Sequence, residues 1–434
     1  MIWRSMQWLY TLLFTCLLPV IFFRMWLRSL KLPVYRQRWL ERLGYVPLPP
    51  LEEVLWIHAV SVGESVSAVP LVHRFLKQYP NTPVLITTTT PTGSERVQAA
   101  FKDMLGKKIY HCYLPYDLPW TLHHFFQRIK PKLLILMETE LWPNLLHACH
   151  KRKLPVLIAN GRLSPTSVKR YRWLGRFMRW MARPILAIAA QSAVDAKSFE
   201  SLGIAKNVIW ETGNIKFDLQ LPPYLQEAGS ELRQELGKNR LIWIAASTHE
   251  GEESLMLNAY RRLKSLFPTL LLVLVPRHPD RFNKVANLCV EKGFHCIRRS
   301  DKKGCDAHTD VFLGDTMGEL PIFYAASDVA FVGGSFAPIG GHNLLEPAAL
   351  GLPVLTGPHL FNFVAISEML LHAQGANVVR NEDELVLRLT QLLENKHLRH
   401  TQGQCAKQVV EQNKGALERL FCLIERFWQH RACV

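Results

Sequence analysis

Along most of this chain, short apolar runs alternate with longer amphipathic stretches. In the first half the runs are Val54–Val60, Val84–Thr88, Lys132–Met137, Pro155–Ala159, Ile185–Ala189 and Val208–Trp210. Each has strand length, and several are apolar throughout, as strands covered on both faces are. The stretches between them, such as Ser65–Gln78 and Leu141–Lys151, have helical length. This alternation predicts a parallel α/β sheet. It breaks at Leu219–Tyr224, LQLPPY, where two prolines suit neither helix nor strand. It restarts with Leu241–Ala246, Leu270–Val275, Asp328–Val332, Pro353–Thr356 and Asn377–Val379, and Leu385 to His430 reads as helices. The expected organisation is an anchor at 1–30, a first α/β domain at 31–215 and a linker at 216–240. A second α/β domain at 241–400 and a helical segment at 401–434 complete it. Two doubly wound domains are expected to face a central cleft lined by strand carboxyl ends.

The amino terminus departs from this pattern. Met6–Phe23 carries no charge and is bounded by Arg4 and Arg24. A helix of that length spans about 27 Å, close to the ~30 Å of a hydrocarbon core. Arg24, Arg28, Lys31, Arg36 and Arg38 follow it, a bias that places the rest of the chain on the cytoplasmic side. No small-x-small site closes the segment, which disfavours a cleavable signal peptide. Trp3, Trp8, Trp26 and Trp39 suit a membrane interface. The segment reads as an anchor that either spans the bilayer, with Pro19 inside it, or lies in the surface.

Charge sharpens the picture. The net charge is +16, and residues 1–220 hold 29 Lys and Arg against 13 Asp and Glu. The remainder balances, so the whole excess sits in the first half, which asks for an anionic partner. The nine cysteines form no CxxC pair, which argues for a reducing compartment and against a disulfide framework or structural zinc. Zinc-finger spacing and an RNP-like aromatic motif are absent, so nucleic acid is not the expected partner.

Candidate chemistry sits where strands end. Ser61-Val62-Gly63-Glu64 follows a predicted strand and opens a helix. Glu64 there is either a general base or an acidic first-turn residue favoured by the helix dipole. Glu138 and Glu140, in METELWPN, close another strand, and Lys216, in GNIKFD, stands at the presumed hinge. The Thr87–Gly93 loop either lines the cleft or is a solvated turn. In the second domain, Pro276 and Arg277 follow a strand, and Arg277 suits a phosphate. Gly314–Leu320 and the Gly-rich segment Gly333–Ala348 lead into helices whose N–H groups and glycines suit a ligand phosphate, with Glu346 suited to ribose hydroxyls. Neither GxGxxG opening a first βα unit nor GxxxxGK[ST] occurs, so the usual dinucleotide and P-loop readings are weak. No paired-carboxylate metal motif stands at a clear strand end, and no metal or other cofactor is expected.

Together these segments resemble the bacterial 3-deoxy-D-manno-octulosonic acid (Kdo) transferase family. The marks are SVGE at 61–64, METELWPN at 137–144, GNIKFD at 213–218, PRHPDR at 276–281, GDTMGEL at 314–320 and GGHNLLEPAALGLPV at 340–354. The resemblance covers nearly the whole chain. It implies a GT-B fold of two Rossmann-like domains and transfer from CMP-Kdo to a tetra-acylated, bis-phosphorylated glucosamine disaccharide. That acceptor is the lipid A precursor of lipopolysaccharide biosynthesis. It implies Glu64 as general base, with Glu138 and Lys216 assisting the transition state. CMP would be bound by Pro276 and Arg277, by Met317, Gly318 and Glu319, and by Asn343, Leu344, Leu345 and Glu346. The expected location is the inner membrane, catalytic domains on the cytoplasmic side, against an anionic lipid surface.

Overall fold

The computed structural model describes residues 2–173, 175–219 and 221–429. Gln220 of the expected linker, His430 and Cys433 lie outside them, as do the side chains of Trp3 and Arg4. The chain divides into two compact units. The first runs to Asp218 and takes up the chain again from Lys414; the second is Leu219–Asn413.

The first unit holds strands β1 (Leu51–His58), β2 (Val84–Thr88), β3 (Ile109–Tyr113), β4 (Ile129–Met137), β5 (Val156–Gly161), β6 (Ile185–Ala190) and β7 (Ile209–Glu211). They form one parallel sheet in the order β3-β2-β1-β4-β5-β6-β7. The middles of its central strands are apolar because both faces are covered. Val54 and Trp56 of β1 enter one core with Leu134 and Leu136 of β4. Leu55 and Ile57 enter the other, with Leu133 and Ile135.

Helices leave β1 and β4 on opposite faces. Val62–Gln78, after β1, buries Leu71, Val72 and Phe75 in the second core. Pro143–Lys151, after β4, buries Leu145, Leu146 and Cys149 in the first. The crossovers after β5 and β6 also take the first core, through Phe177, Met178 and Phe199. That leaves the other face of β4–β6 bare, and the helix Ala416–Gln429 covers it. Its stripe Leu417, Leu420, Phe421, Ile424 and Trp428 has helical spacing and lies in the second core.

The second unit repeats this plan with β8 (Ile242–Thr248), β9 (Leu271–Pro276), β10 (Cys296–Arg298), β11 (Val311–Leu313), β12 (Val329–Val332), β13 (Val354–Thr356) and β14 (Ala376–Val378). Their order is β10-β11-β9-β8-β12-β13-β14, again all parallel. Helices Glu252–Leu266 and Glu382–Glu394 cover one face. Leu225–Leu236 and Leu320–Ala325 cover the other.

Two expectations change. The middle of 216–240 is not a linker: Leu225–Leu236 is a helix of the second unit, needed to cover a sheet face. Its Gly229 lies so close to Ala325 that a Cβ there would meet it at 2.5 Å. The segment expected at 401–434 is not one body either. Lys396–Gln412 stays with the second unit and Ala416–Gln429 joins the first.

Asp218 ties that last helix to the end of the first unit's main run. Its carboxylate accepts from the amides of Gly415 and Leu417, both at 2.6 Å. A carboxylate at a helix N-terminus satisfies orphan donors and meets the positive dipole end. Asp218→Ala should lower stability by roughly 1–2 kcal/mol, read as a lower Tm in thermal unfolding, while Asp218→Asn should lose less.

Candidate active site

Where two neighbouring strands send their helices to opposite faces, a crevice opens at their carboxyl ends. In the first unit that point lies between β1 and β4. The Ser61 hydroxyl accepts from the Glu64 amide at 3.3 Å, and the Glu64 carboxylate folds back onto the helix start. It accepts from the Val60 amide (2.8 Å), the Ser61 amide (3.3 Å) and the Ser61 hydroxyl (2.7 Å). This is a capping box, so Glu64 fills the helix-start role weighed beside catalysis. A carboxylate has about four acceptor directions, and three are used. Burial raises the Glu64 carboxyl above the usual range, and the Glu138 charge adds to this. The hydrogen bonds from Ser61 and Val60 oppose both.

Glu138 follows β4 with φ +56°, a left-handed conformation that a non-glycine residue adopts only when its surroundings enforce it. Its carboxylate accepts from Lys216 Nζ at 3.2 Å. Glu140 is pushed up to about 7, first by burial and then by the Glu64 and Glu138 charges, against a 2.9 Å hydrogen bond from Trp142 Nε1. Three carboxylates and one ammonium thus share the β1/β4 crossing point, and like charges so close resist joint ionisation.

Lys216 is held by a chain of amides. Asn214 Oδ1 accepts from the Lys216 amide at 3.0 Å, and Asn214 Nδ2 donates to Gln191 Oε1 at 3.0 Å. Gln191 Nε2 donates to the Asn160 carbonyl at 2.9 Å, and Asn160 Oδ1 accepts from the Ile215 amide at 3.1 Å. Asn160 also has a positive φ, +55°, and its buried Nδ2 has no hydrogen-bond partner among the described residues. Sequence reasoning missed it, one residue beyond the apolar run of β5; the available signal was a polar residue before Gly161 at a strand end.

The hydroxyls of the threonine loop are engaged within the first unit. Thr87 Oγ1 accepts from Trp56 Nε1 at 2.9 Å, Thr90 caps the next helix, and the Thr89 and Thr90 hydroxyls both donate to the Val60 carbonyl at 3.3 Å. Burial lowers His58 to about 4, so it is neutral at pH 7.

In the second unit the corresponding point lies between β8 and β12. There Glu252, buried in the first turn of its helix, accepts from four amides: His249 (2.9 Å), Gly334 (2.8 Å), Ser335 (2.9 Å) and Phe336 (2.9 Å). The N–H groups of Gly334–Phe336, within the Gly-rich segment expected to approach a ligand, are therefore spent inside the protein. The groups left at this edge are Arg277, His249, His342 and Glu346. Arg277 follows β9 with its side chain exposed. His249 and His342 stack at 5.0 Å, with their Nε2 atoms 2.8 Å apart. Burial, helped by the Arg277 charge, lowers His342 to about 4. Burial raises Glu346, while Asn343 Nδ2, donating at 3.0 Å, and the Arg277 charge oppose this.

The other expected nucleotide residues are placed less openly. Leu344 and Leu345 are buried, and the Leu345 amide already bonds Asn343 Oδ1. Glu319 is taken by Arg299 Nη2 at 2.9 Å and by the Thr316 hydroxyl. Pro276 ends β9 inside the sheet, whereas Met317 is exposed and Gly318 has open space around it. Among the described residues no group of three or more His, Cys, Asp or Glu side chains is placed to hold a metal ion.

Residues 37–219 match the family model of 3-deoxy-D-manno-octulosonic-acid transferase (kdotransferase), and residues 230–409 match glycosyl transferases group 1. The chain is 44% identical to the 3-deoxy-D-manno-octulosonic acid transferase of Haemophilus influenzae, across 98% of this chain and 99% of that one. It is 38% identical to the transferase of the same name from Bordetella pertussis, across 82% and 83%. Among solved structures, UDP-GlcNAc 2-epimerase from Neisseria meningitidis matches in fold, with TM-score 0.55 over 87% of this chain and 99% of that chain at 14% identity. With its two parallel seven-stranded sheets, the architecture is of the GT-B type.

Glu140 should leave a mark on stability. Between the ordinary value of 4.5 and about 7, the unfolded chain has lost this proton while the folded chain keeps it. Stability therefore falls as pH rises through that window. Glu140→Gln removes this slope, so its Tm should gain on the wild type by roughly 2–5 °C between pH 4.5 and pH 8. A Tm difference that is flat across that range would remove Glu140 from the buried acids.

Proposed function

The chain belongs to the 3-deoxy-D-manno-octulosonic acid transferase family, and from that premise we propose that it transfers Kdo from CMP-Kdo to the lipid A precursor, inverting the anomeric centre. The observation that carries this reading is the grouping of Glu64, Glu138 and Glu140 with Lys216 at the β1/β4 crossing point.

In the proposed reaction, an acceptor hydroxyl attacks the anomeric carbon of Kdo from the face opposite CMP. The new C–O bond forms as the bond to the CMP phosphate breaks, and the electron pair leaves with the phosphate. The hydroxyl proton passes to Glu64. Its capping box fixes the carboxylate and leaves one acceptor direction free, and its raised proton affinity suits a base. Lys216 steadies Glu138 and the negative charge gathered there. CMP is assigned to Arg277, Asn343 and Glu346, together with the exposed Met317–Gly318 turn. Arg277 supplies the positive charge that a departing phosphate needs. No metal enters this scheme.

The acceptor accounts for the charge asymmetry. A bis-phosphorylated, acylated disaccharide stays in the membrane, and the basic first half suits its phosphates and the anionic head groups around it. The described helix Ser5–Lys31 is long and apolar enough for membrane attachment. Its basic carboxyl end suits the anionic cytoplasmic leaflet of the inner membrane.

Purified enzyme, CMP-Kdo and a defined tetra-acylated precursor should give a product whose mass has increased by Kdo. Glu64→Gln, whose amide oxygen can still accept the Ser61 hydrogen bonds but not the one from the Val60 amide as well, should cut kcat by roughly 10²–10⁴-fold with only a modest fall in Tm. Near-normal turnover in that variant would remove Glu64 as the base. Arg277→Ala should weaken CMP binding by about tenfold or more while UDP stays weaker than CMP in both proteins; tighter UDP binding would overturn the donor assignment.

A further inference from the structure

We propose that the amino-terminal helix Ile2–Lys31 does not cross the bilayer but lies in its surface, with one side against the first unit and the other in an anionic lipid leaflet. Length and composition alone allow a crossing. The contacts along the helix do not.

They run from one end to the other. Met6 packs on the first unit's core. Gln7 Nε2 donates to Asn144 Oδ1 at 2.8 Å, and Asn144 Nδ2 donates to Thr11 Oγ1 at 3.0 Å. Phe14 and Phe22 meet Tyr116 edge-on, at 6.0 and 5.8 Å between ring centroids. Tyr116 Oη lies 3.0 Å from Met25 Sδ, and Arg36 Nε donates to Ser29 Oγ at 3.0 Å. Gln7 to Met25 is about 27 Å of helix, nearly the whole ~30 Å hydrocarbon core. A crossing helix would therefore draw the folded surface it touches into the hydrocarbon. That surface includes Asn144, which bonds Asp117, and the helix Pro143–Lys151, which ends in His150 and Lys151. Polar groups of this kind do not face lipid.

The opposite side is bare. Leu9, Leu13, Leu17, Val20, Leu27 and Leu30 are all exposed. At 100° per residue they centre on the side of the helix away from Gln7, Thr11, Phe14, Phe22 and Met25. A water-facing helix does not present such a stripe. Arg24, Arg28 and Lys31 are exposed near its end, and the chain has no acidic residue before Glu41. This combination matches an anionic leaflet: apolar side chains among the acyl chains and cations at the head groups.

The helix is also tied to the candidate active site. Asn144, its partner for Gln7 and Thr11, stands six residues beyond Glu138 on the same strand-end segment. If the proposed acceptor is right, a helix lying in the leaflet sets the height of the carboxylates above the acyl chains. That consequence rests on the proposed function; the lie of the helix does not.

Spin labels on single cysteines at positions 9, 17 and 30 test it, in full-length protein with exposed Cys16 and Cys422 changed to Ser. The protein is bound to phosphatidylethanolamine and phosphatidylglycerol vesicles, and label depth is read by oxygen and nickel accessibility. All three labels should report one shallow depth. A deep label at 17 between shallow labels at 9 and 30 would establish a crossing and overturn the proposal. Labels shielded from lipid and broadened by dipolar coupling would show a second copy covering the stripe, which also overturns it. In intact cells, Ser5→Cys should resist a membrane-impermeant maleimide until the membrane is opened; labelling from outside would again mean a crossing. Wild-type enzyme that fails to transfer Kdo would sink the acceptor reading and leave these depth results standing.

Discussion

Parallel strands cannot be joined by tight turns, and this constraint governs the rest of the molecule. Each strand needs a crossover helix, and each crossover must choose a face. In both units the choice reverses once: between β1 and β4, and between β8 and β12. The reversal opens a gap at the strand carboxyl ends, and Glu64, Glu140, His342 and Glu346, each with a shifted proton affinity, stand there. It also leaves part of a sheet face uncovered. The chain meets that need with segments outside the crossovers: the distant Ala416–Gln429 for the first sheet and Leu225–Leu236, just before β8, for the second.

How much of this could be read from the sequence follows from how far each feature depends on partners. Runs such as Val54–Val60 and Leu270–Val275 declare themselves as two-sided strands because every residue is apolar. β3 does not, because Tyr110 and His111 break the run, and β10 and β11 are only three residues long. The stripe on the last helix was legible as helical, but its destination was not, since that depends on which sheet face lacks a cover. Ser61-x-x-Glu64 is a capping signature, so half of Glu64's role was on the page from the start. Glu252 was hidden. Three of its four partners lie more than 80 residues away, and nothing local says that its carboxylate takes the amides of Gly334–Phe336.

These two carboxylates show how one residue type is put to different uses. Glu252 accepts four backbone amides, which leaves it little capacity for a ligand and makes it the brace of the Gly-rich loop. Glu64 accepts three hydrogen bonds, all from the two residues at its own helix start, and stands among other acids. Its surroundings raise its proton affinity without filling its last acceptor direction. Glu140 near 7 matters here as well, because a neutral neighbour relieves the repulsion that full ionisation of the cluster would impose. Lys216 offsets a further part of that charge through Glu138.

The segment after β4 then joins two requirements that are usually met separately. Met137 to Asn144 carries Glu138 and Glu140 at one end and, through Asn144, the contact with the amino-terminal helix at the other. Asn144 is also fixed from behind: its amide donates to Asp117 Oδ2 at 2.9 Å, and its Nδ2 donates to the Asp117 carbonyl at 2.7 Å. Burial holds the Asp117 carboxyl up at about 6, against the pull of the Asn144 and Leu145 amides. A chain with a floppy tether could place its acids at any height above a membrane. Here the apolar helix is hydrogen-bonded to the same short segment that carries the acids, so the distance between them is a property of the fold.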